Sequence, residues 1–413
     1  MGLRDPSGLP AVAKLKFVPA LSFFDARETV LREIRAGLTT PATESIDLAT
    51  ASGRVLAEDI LADRDYPPFD RSMRDGFGVC AADLPGELKI VGEVRAGETL
   101  SGSIQPGEAV EIMTGAPVPE GVESVVMVER TSRRIDHTIY VESALKAGDN
   151  ISPRGCEARA GSVLLYAGTR LDFAGIACLA AVGKSSVTVF AKPRIAILPT
   201  GDEIVDVGET PGESQIRNSN AWSLAAQVKR AGGTPVMLPI ARDTKEHTRK
   251  LIEQGLECDL LLLSGGVSAG KYDVVEPVLA DLGAQFFFDR VKIQPGAPAV
   301  FGRARNRFFF GLPGNPASTM VTFEILARAA IGLLSGETET SLPFTFAKLT
   351  GPFHHKPGMT RFLPALLRGG GVTPVAWKGS GDIAALCRAN AWLVADPERT
   401  DYEAGDLISV ILR

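Results

Sequence analysis

Two runs of small residues stand where this chain could handle an anion. Leu260-Leu261-Leu262-Leu263 leads into Ser264-Gly265-Gly266-Val267-Ser268, and Phe308-Phe309-Phe310 leads into Gly311-Leu312-Pro313-Gly314-Asn315-Pro316. Each is an apolar, strand-like stretch that ends in a glycine loop. At the carboxyl ends of parallel strands, such loops are where α/β proteins bind ligands. Glycine there lets backbone N–H groups approach an anion with no Cβ in the way. A third loop, Thr200-Gly201-Asp202-Glu203, follows Ile195-Ala196-Ile197-Leu198. One such loop is weak evidence; three in one segment point to a single anion-handling pocket.

Carboxylates mark the same strand ends. Glu203 follows the first strand, Asp243 the second in Ile240-Ala241-Arg242-Asp243, and Asp273 comes just after Gly265-Gly266. A carboxylate after one strand commonly caps the next helix. After three strands in a row, the same residues suggest a shared Mg²⁺ site, where carboxylates and substrate phosphate oxygens hold a hard cation. Position alone leaves both readings open.

Other chemistries have little support. Gly183-Lys184-Ser185 is like the end of a phosphate-binding P-loop, but Cys178 stands where that motif begins with glycine. A strand-like Val187–Phe190 follows it, where a helix is required. No GxGxxG occurs, so nicotinamide dinucleotide binding is unsupported. His354-His355 has no further ligands nearby and reads as a solvated turn. With 4 histidines and no Ser/His/Asp pattern, imidazole catalysis is poorly provided for.

The elements that must position these loops follow from periodicity. From Pro193, strands at Arg194–Leu198, Val236–Ile240, Leu260–Leu263 and Ala299–Phe301 alternate with helices at Asn220–Ala231, Lys245–Gln254 and Val274–Asp281. Phe308–Phe310 is a hairpin partner that feeds a helix near Ala317. This is a doubly wound, mostly parallel domain. Upstream, Ser22–Arg35 has helical spacing with Ser22 as N-cap and Gly37 as stop. A short helix is expected around Thr50–Val55, and another at Phe173–Ala180. Between them, Leu88–Val91, Ala109–Met113, Ser124–Val128 and Thr138–Val141 are separated by Gly/Pro turns, as in an antiparallel β domain. After Gly336 the pattern is β again. The fold class is therefore α/β plus β and multidomain. The expected segments are a helical/β linker in two parts (22–60 and 154–192), an inserted β domain (61–153), the α/β domain (193–336) and a C-terminal β domain (337–413).

Composition narrows the class. The chain has 413 residues, 45% hydrophobic and 23% charged, which is ordinary for folded domains. A net charge of −5 gives no global reason to bind nucleic acid or an anionic membrane. The cysteines Cys80, Cys156, Cys178, Cys258 and Cys387 are scattered with no CxxC, so a reducing cytoplasm is the expected location. Met1 to Ala20 has no apolar signal segment and reads as a disordered lead-in. Apolar runs fall short of the ~20 residues that span a bilayer.

Two upstream motifs complete a pattern: Phe69-Asp70-Arg71-Ser72-Met73-Arg74-Asp75-Gly76-Phe77 and Ile112-Met113-Thr114-Gly115-Ala116-Pro117-Val118-Pro119. With the three loops and Pro295-Gly296, in this order and spacing, the chain resembles the molybdopterin molybdenumtransferase family, which includes MoeA and the gephyrin E-domain. The resemblance covers nearly everything after Ser22. It implies the four regions above, with the α/β domain as the molybdopterin-binding one. It also implies an elongated homodimer whose site lies between the α/β domain of one subunit and the inserted domain of the other. The implied reaction inserts molybdate into adenylylated molybdopterin, with Mg²⁺-assisted release of AMP, and transient contact with molybdoenzymes or other cofactor-biosynthesis proteins is expected. The alternative is a divergent paralogue that binds or delivers molybdopterin or its cofactor without efficient ligation.

By resemblance, Asp75, Thr114, Glu157, Glu203, Asp243 and Asp273 take catalytic positions, and Glu203, Asp243 and Asp273 are the metal carboxylates. Thr200, Gly201, Ser264, Gly265, Gly266, Ser268, Gln294, Pro295, Gly296, Pro313, Gly314, Asn315 and Pro316 take cofactor-binding positions. The chain also departs from the family. Glu157 stands for the common Asp and follows Cys156 where an acidic residue is usual. Ser72-Met73-Arg74-Asp75-Gly76 replaces Ser-Ala-Met-Asp-Gly, and Lys271 and Val274 replace an acidic and an aromatic residue. Gln294-Pro295-Gly296-Ala297-Pro298 replaces Lys-Pro-Gly-Lys-Pro, which removes two ammonium groups. Arg74, Arg290 and Lys292 are candidate replacements for that charge, although a guanidinium binds an oxyanion by a fork and not as a point charge.

Overall fold

The computed structural model describes residues 20–266 and 274–413, so the lead-in and the candidates Ser268, Lys271 and Asp273 lie outside the described residues. The chain divides into two compact units. One comprises the described residues up to Glu44 together with Gly53–Ala57 and Thr188–Arg413; the other comprises Ser45–Ser52 and Glu58–Val187.

In the first unit, a run of leucines explains the main sheet. Leu260, Leu261, Leu262 and Leu263 are all fully buried. Leu260 and Leu262 enter one core cluster and Leu261 and Leu263 another, because successive side chains of a strand face opposite ways. A strand covered on both faces needs an unbroken apolar run, and each leucine contributes roughly 1.5–3 kcal/mol by burial. The six strands lie in the order Thr234–Met237, Arg194–Pro199, Leu260–Ser264, Arg307–Leu312, Val300–Ala304, Gln285–Phe288. The first four are mutually parallel, with Ile195 opposite both Pro235 and Leu260, and Leu260 opposite Phe308. Val300–Ala304 is antiparallel to both of its neighbours.

Two details differ from the sequence reading. The second strand is Thr234–Met237, earlier than Val236–Ile240. The chain leaves the ladder after Met237, although the Leu238 N–H still donates to the Ile197 carbonyl at 3.0 Å. The edge strand Gln285–Phe288 was not anticipated, because Phe286-Phe287-Phe288 lacks the alternation that marks a half-buried strand.

Helices cover both faces. Phe23–Gly37 begins where Ser22 Oγ accepts the Asp25 N–H at 3.1 Å, and it buries Phe23, Ala26, Val30 and Ile34 against the first cluster. Gly37 is its last residue, and Leu38 is the C-cap. Ser219–Arg230 packs on the same face through Ala221, Leu224 and Val228. Lys245–Gly255 and Val275–Asp281 cover the other face.

The helix Pro316–Leu334 is long and apolar, though Glu324 and Arg328 interrupt it, in keeping with the short apolar runs of the sequence. By length and composition it could cross a bilayer, but it is a mostly buried core helix. Its middle, Phe323–Ala327, widens into a π turn. There the Ile325 carbonyl accepts Arg27 Nη1 at 2.9 Å, and burial pushes the Arg27 pKa down to about 10. The buried Glu324 on the same turn accepts Gln227 Nε2 at 2.9 Å.

The C-terminal strands form a ring. Thr360–Arg368 pairs with Gly371–Pro374, which pairs with Phe344–Leu349, then Leu407–Leu412, then Ala391–Ala395. Ala391–Ala395 pairs with Thr360–Arg368 and closes it. The histidine pair is structural here. His354 Nδ1 lies 2.7 Å from Asp401 Oδ1, while His355 is buried against Phe353 and Tyr402.

The second unit holds a six-stranded sheet in the order Ser124–Met127, Gly76–Val79, Glu108–Ile112, Gly86–Val94, Thr138–Val141, Thr131–Arg133. It is mixed, not wholly antiparallel as its turns suggest. Gly86–Val94 and Glu108–Ile112 run parallel, joined by a crossover loop that local turn signals do not reveal. Gly76 is forced by close packing: a Cβ there would lie 1.8 Å from the Val126 carbonyl oxygen. In place of a helix at Thr50–Val55 there is a short 3₁₀ turn, Leu48–Thr50, and Gly53 at φ +76° follows it. Phe173–Ala181 is helical, capped by Asp172 Oδ1 on the Gly175 N–H at 2.9 Å.

Candidate active site

In the first unit, chain order produces a crevice. From Arg194–Pro199 the chain moves outward to Thr234–Met237, then returns to Leu260–Ser264 on the other side. Where an α/β sheet reverses like this, loops at the carboxyl ends diverge and leave room for a ligand. A cleft of about 500 Å³ occupies that position. Thr200, Gly201, Ser264, Gly265, Gly266, Pro313, Gly314, Asn315 and Pro316 all line it, so the three glycine loops do converge.

Backbone contacts hold them together. The Thr200 N–H donates to the Ser264 carbonyl at 3.1 Å, and the Gly265 N–H to the Leu312 carbonyl at 3.1 Å. Gly265 sits at φ +93°, and a Cβ on it would come 2.9 Å from the Thr200 carbonyl oxygen. An L side chain is disfavoured there by both conformation and space. At the end of the 311–316 loop, the Pro316–Leu334 helix opens with Asn315 as N-cap and proline in the first turn. Pro316 has no N–H to offer, and the Ala317 N–H donates to the Ser380 carbonyl at 2.9 Å, so what this helix start brings to the wall is the positive end of its dipole.

Glu203 and Asp243 line the cleft together. The Glu203 carboxylate folds over Gly201, where a Cβ would meet Oε2 at 2.4 Å. Asp243 and Asp202 exchange long backbone-to-carboxylate contacts of 3.3 and 3.4 Å. Neither Glu203 nor Asp243 caps a helix: Asn218 caps Ser219–Arg230, and Thr244 occupies the cap of Lys245–Gly255. Among the described residues, no group of three or more His, Cys, Asp or Glu side chains is arranged to hold a metal.

The Gln294–Pro298 loop is less involved. Pro298 lines the cleft, but Gln294, Pro295 and Gly296 do not. Ile293–Gln294 instead pairs in parallel with Thr360 and Arg361 of the C-terminal ring, and Gly296 packs against Thr322.

Asp75, Thr114 and Glu157 are in the second unit. Asp75 Oδ1 accepts both the Thr114 backbone N–H, at 2.7 Å, and its hydroxyl, at 2.8 Å. Those two bonds, the backbone one foremost, hold the Asp75 carboxyl below the usual aspartate range. The Ser72 N–H donates to the Ala116 carbonyl and the Gly115 N–H to the Ser72 carbonyl, so the two upstream motifs are zipped together. Met73 N–H donates to the Asn150 carbonyl at 2.9 Å and brings in a third loop. Glu157 is ion-paired with Arg71 of the first motif.

Comparison with known proteins finds matches over most of the chain. Residues 21–183 match the family described as "MoeA N-terminal region (domain I and II)". Residues 196–332 match "Probable molybdopterin binding domain", and 347–412 match "MoeA C-terminal region (domain IV)". The molybdopterin molybdenumtransferase of Bacillus subtilis (strain 168) is 35% identical over 386 residues, 90% of each chain. This chain belongs to the molybdopterin molybdenumtransferase, or MoeA, family. A relative of the same name from Nostoc sp. (strain PCC 7120) is 37% identical over 305 residues, covering 71% of this chain and 70% of that one. The crystal structure of the molybdopterin biosynthesis MoeA protein from Pyrococcus horikoshii OT3 superposes with a TM-score of 0.77. It has 27% identity over 95% of this chain and 100% of the other.

Sequence reasoning missed part of this MoeA cleft. Ile216, Arg217, Asn218, Ser219 and Asn220 form a wall of it. The available signal was the Asn218 cap, whose Oδ1 accepts the Ala221 N–H at 3.2 Å and sets the helix start at Ser219.

Proposed function

We propose that this MoeA-family chain inserts molybdate into adenylylated molybdopterin, releasing AMP, as a step of molybdenum cofactor biosynthesis. The observation that carries this reading is the convergence of three glycine loops with two uncapping carboxylates at the switch point of the α/β sheet. Backbone N–H groups and a helix N-terminus suit a phosphate-bearing anion. Glu203 and Asp243 supply hard oxygen donors on the same cleft and would hold Mg²⁺, with Asp273 as a third carboxylate. When bound, that cation supplies charge neutralisation at a phosphoanhydride.

The chain's own groups have separable tasks. The glycine loops bind and orient the phosphates. Asp75, kept ionised by Thr114, is a fixed hydrogen-bond acceptor in the second unit, and Glu157 adds a second carboxylate beside Arg71. Gln294, Pro295 and Gly296 shape the loop that delivers Pro298 to the cleft. We also infer a homodimer in the cytoplasm, with short-lived contacts to the apo-enzymes that receive the cofactor. The carrier alternative has less support, since relatives that align with about 90% of the chain are named as transferases.

Purified protein given adenylylated molybdopterin, molybdate and Mg²⁺ should produce cofactor that activates an apo-molybdoenzyme. Failure to activate it, with the pterin bound tightly, would contradict the transferase and favour the carrier. Light scattering should report twice the 43.8 kDa chain mass; a monomer at micromolar concentration would rule out the dimer.

A further inference from the structure

We propose that Asn220 is the positioning residue that sets the spacing between two of the anion-binding loops. The inference rests on the functional reading above and deepens it. Asn220 lies in the first turn of the Ser219–Arg230 helix, partly buried in the cleft wall. Its Nδ2 donates to Ser264 Oγ at 3.0 Å and to the Gly314 carbonyl at 2.7 Å. One side-chain amide thus spends both protons, one on each of two loops that are otherwise joined at the strand ends by the bond from the Gly265 N–H to the Leu312 carbonyl. The position of a Cβ on Gly314 would be 3.7 Å from the Gly265 Cα.

The chemistry also fixes which way the amide faces. A carbonyl oxygen can only accept, so the nitrogen must point to Gly314. Asn220 Oδ1 is then an acceptor facing the cleft wall with no partner among the described residues. The helix anchors this clamp independently of the loops, because Asn218 satisfies the helix start. Glycine carries the largest conformational freedom to lose, and beyond the Gly265–Leu312 bond the amide adds two further restraints on the loops. Holding them at one separation pre-pays part of the ordering cost of binding.

Asn220→Ala and Asn220→Asp separate positioning from mere stability. In Asn220→Ala, the KM for adenylylated molybdopterin should rise roughly ten- to thirty-fold, as expected for two lost hydrogen bonds, with kcat changed far less. In Asn220→Asp the ionised carboxylate cannot donate to the Gly314 carbonyl. The defect should therefore be largest at neutral pH and shrink on acidification, as the protonated acid regains one donor. In the free proteins, amide hydrogen exchange should speed up at both Gly265–Gly266 and Gly314–Asn315 in Asn220→Ala. Unchanged KM in both variants, or exchange unchanged at either loop, would overturn the assignment. If wild type neither binds nor turns over the pterin, the functional reading fails, and exchange at the two loops still decides the clamp.

Discussion

Thr114 gives both of its donors to one oxygen of Asp75, at 2.7 Å from the backbone nitrogen and 2.8 Å from the hydroxyl. The pair is separated by 39 residues in sequence and ties the two upstream motifs of the MoeA signature at their centre. Because these bonds favour the charged form, Asp75 ionises below the usual range. The stabilising contribution is present above the unfolded-state pKa and is lost as pH falls through the lower folded-state pKa. Removing only the hydroxyl, in Thr114→Val, should raise the Asp75 pKa part-way towards normal, while Thr114→Ser should leave it low. Carboxyl-detected NMR titration checks this. Equal pKa values in all three proteins would mean the hydroxyl bond does not act on Asp75.

Glu203→Gln and Asp243→Asn should fold normally, because both side chains are exposed and neither caps a helix. Each should require more Mg²⁺ for half-maximal turnover, with a larger loss in kcat than in pterin affinity if the cation mainly stabilises the transition state. Thermal unfolding and a Mg²⁺ titration of AMP release measure the two effects. Wild-type behaviour at limiting Mg²⁺ in both variants would remove these carboxylates from the metal site.

Gly265→Ala should destabilise the protein by about 1–2 kcal/mol, the cost of a non-glycine residue at positive φ. The close approach to Thr200 adds to that cost. Calorimetric unfolding tests the stability, and the pterin KM should rise in parallel because the same loop binds it. An unchanged KM would place the anion elsewhere.

Gln294→Lys combined with Ala297→Lys should leave the molybdate concentration needed for half-maximal turnover little changed, because neither residue lines the cleft. Two charge-assisted contacts that did reach the oxyanion would be worth roughly 1.5–3 kcal/mol each. Molybdate titration at fixed pterin decides the matter. A gain of about tenfold or more would place these two positions at the oxyanion and contradict the lining of the cleft.

The α/β layer was largely legible in the sequence because its signals are local. Leu260–Leu263 must be a two-sided strand whatever surrounds it, and Ser22, Gly201 and Pro316 mark turns or helix starts by their own stereochemistry. What was illegible depends on partners far along the chain. The parallel pairing of Gly86–Val94 with Glu108–Ile112 is a register choice, not a propensity. His354 is exposed as a solvated turn requires, but its neighbour His355 is buried against Phe353 and Tyr402, and Tyr402 is 47 residues away. Asn220 could not be singled out, since its acceptors are 44 and 94 residues away. The carboxylates Glu203 and Asp243 were visible from position, but only the observed caps Asn218 and Thr244 free them from the helix-cap reading.

A chain that catalyses ligation, and does not merely hold the pterin, must release AMP when molybdate is supplied. The most direct measurement is AMP released per adenylylated molybdopterin, with Mg²⁺ present, as molybdate is titrated. Release should rise with molybdate to one AMP per pterin, over many turnovers per protein chain. Bound pterin with no AMP release at saturating molybdate would contradict catalysis.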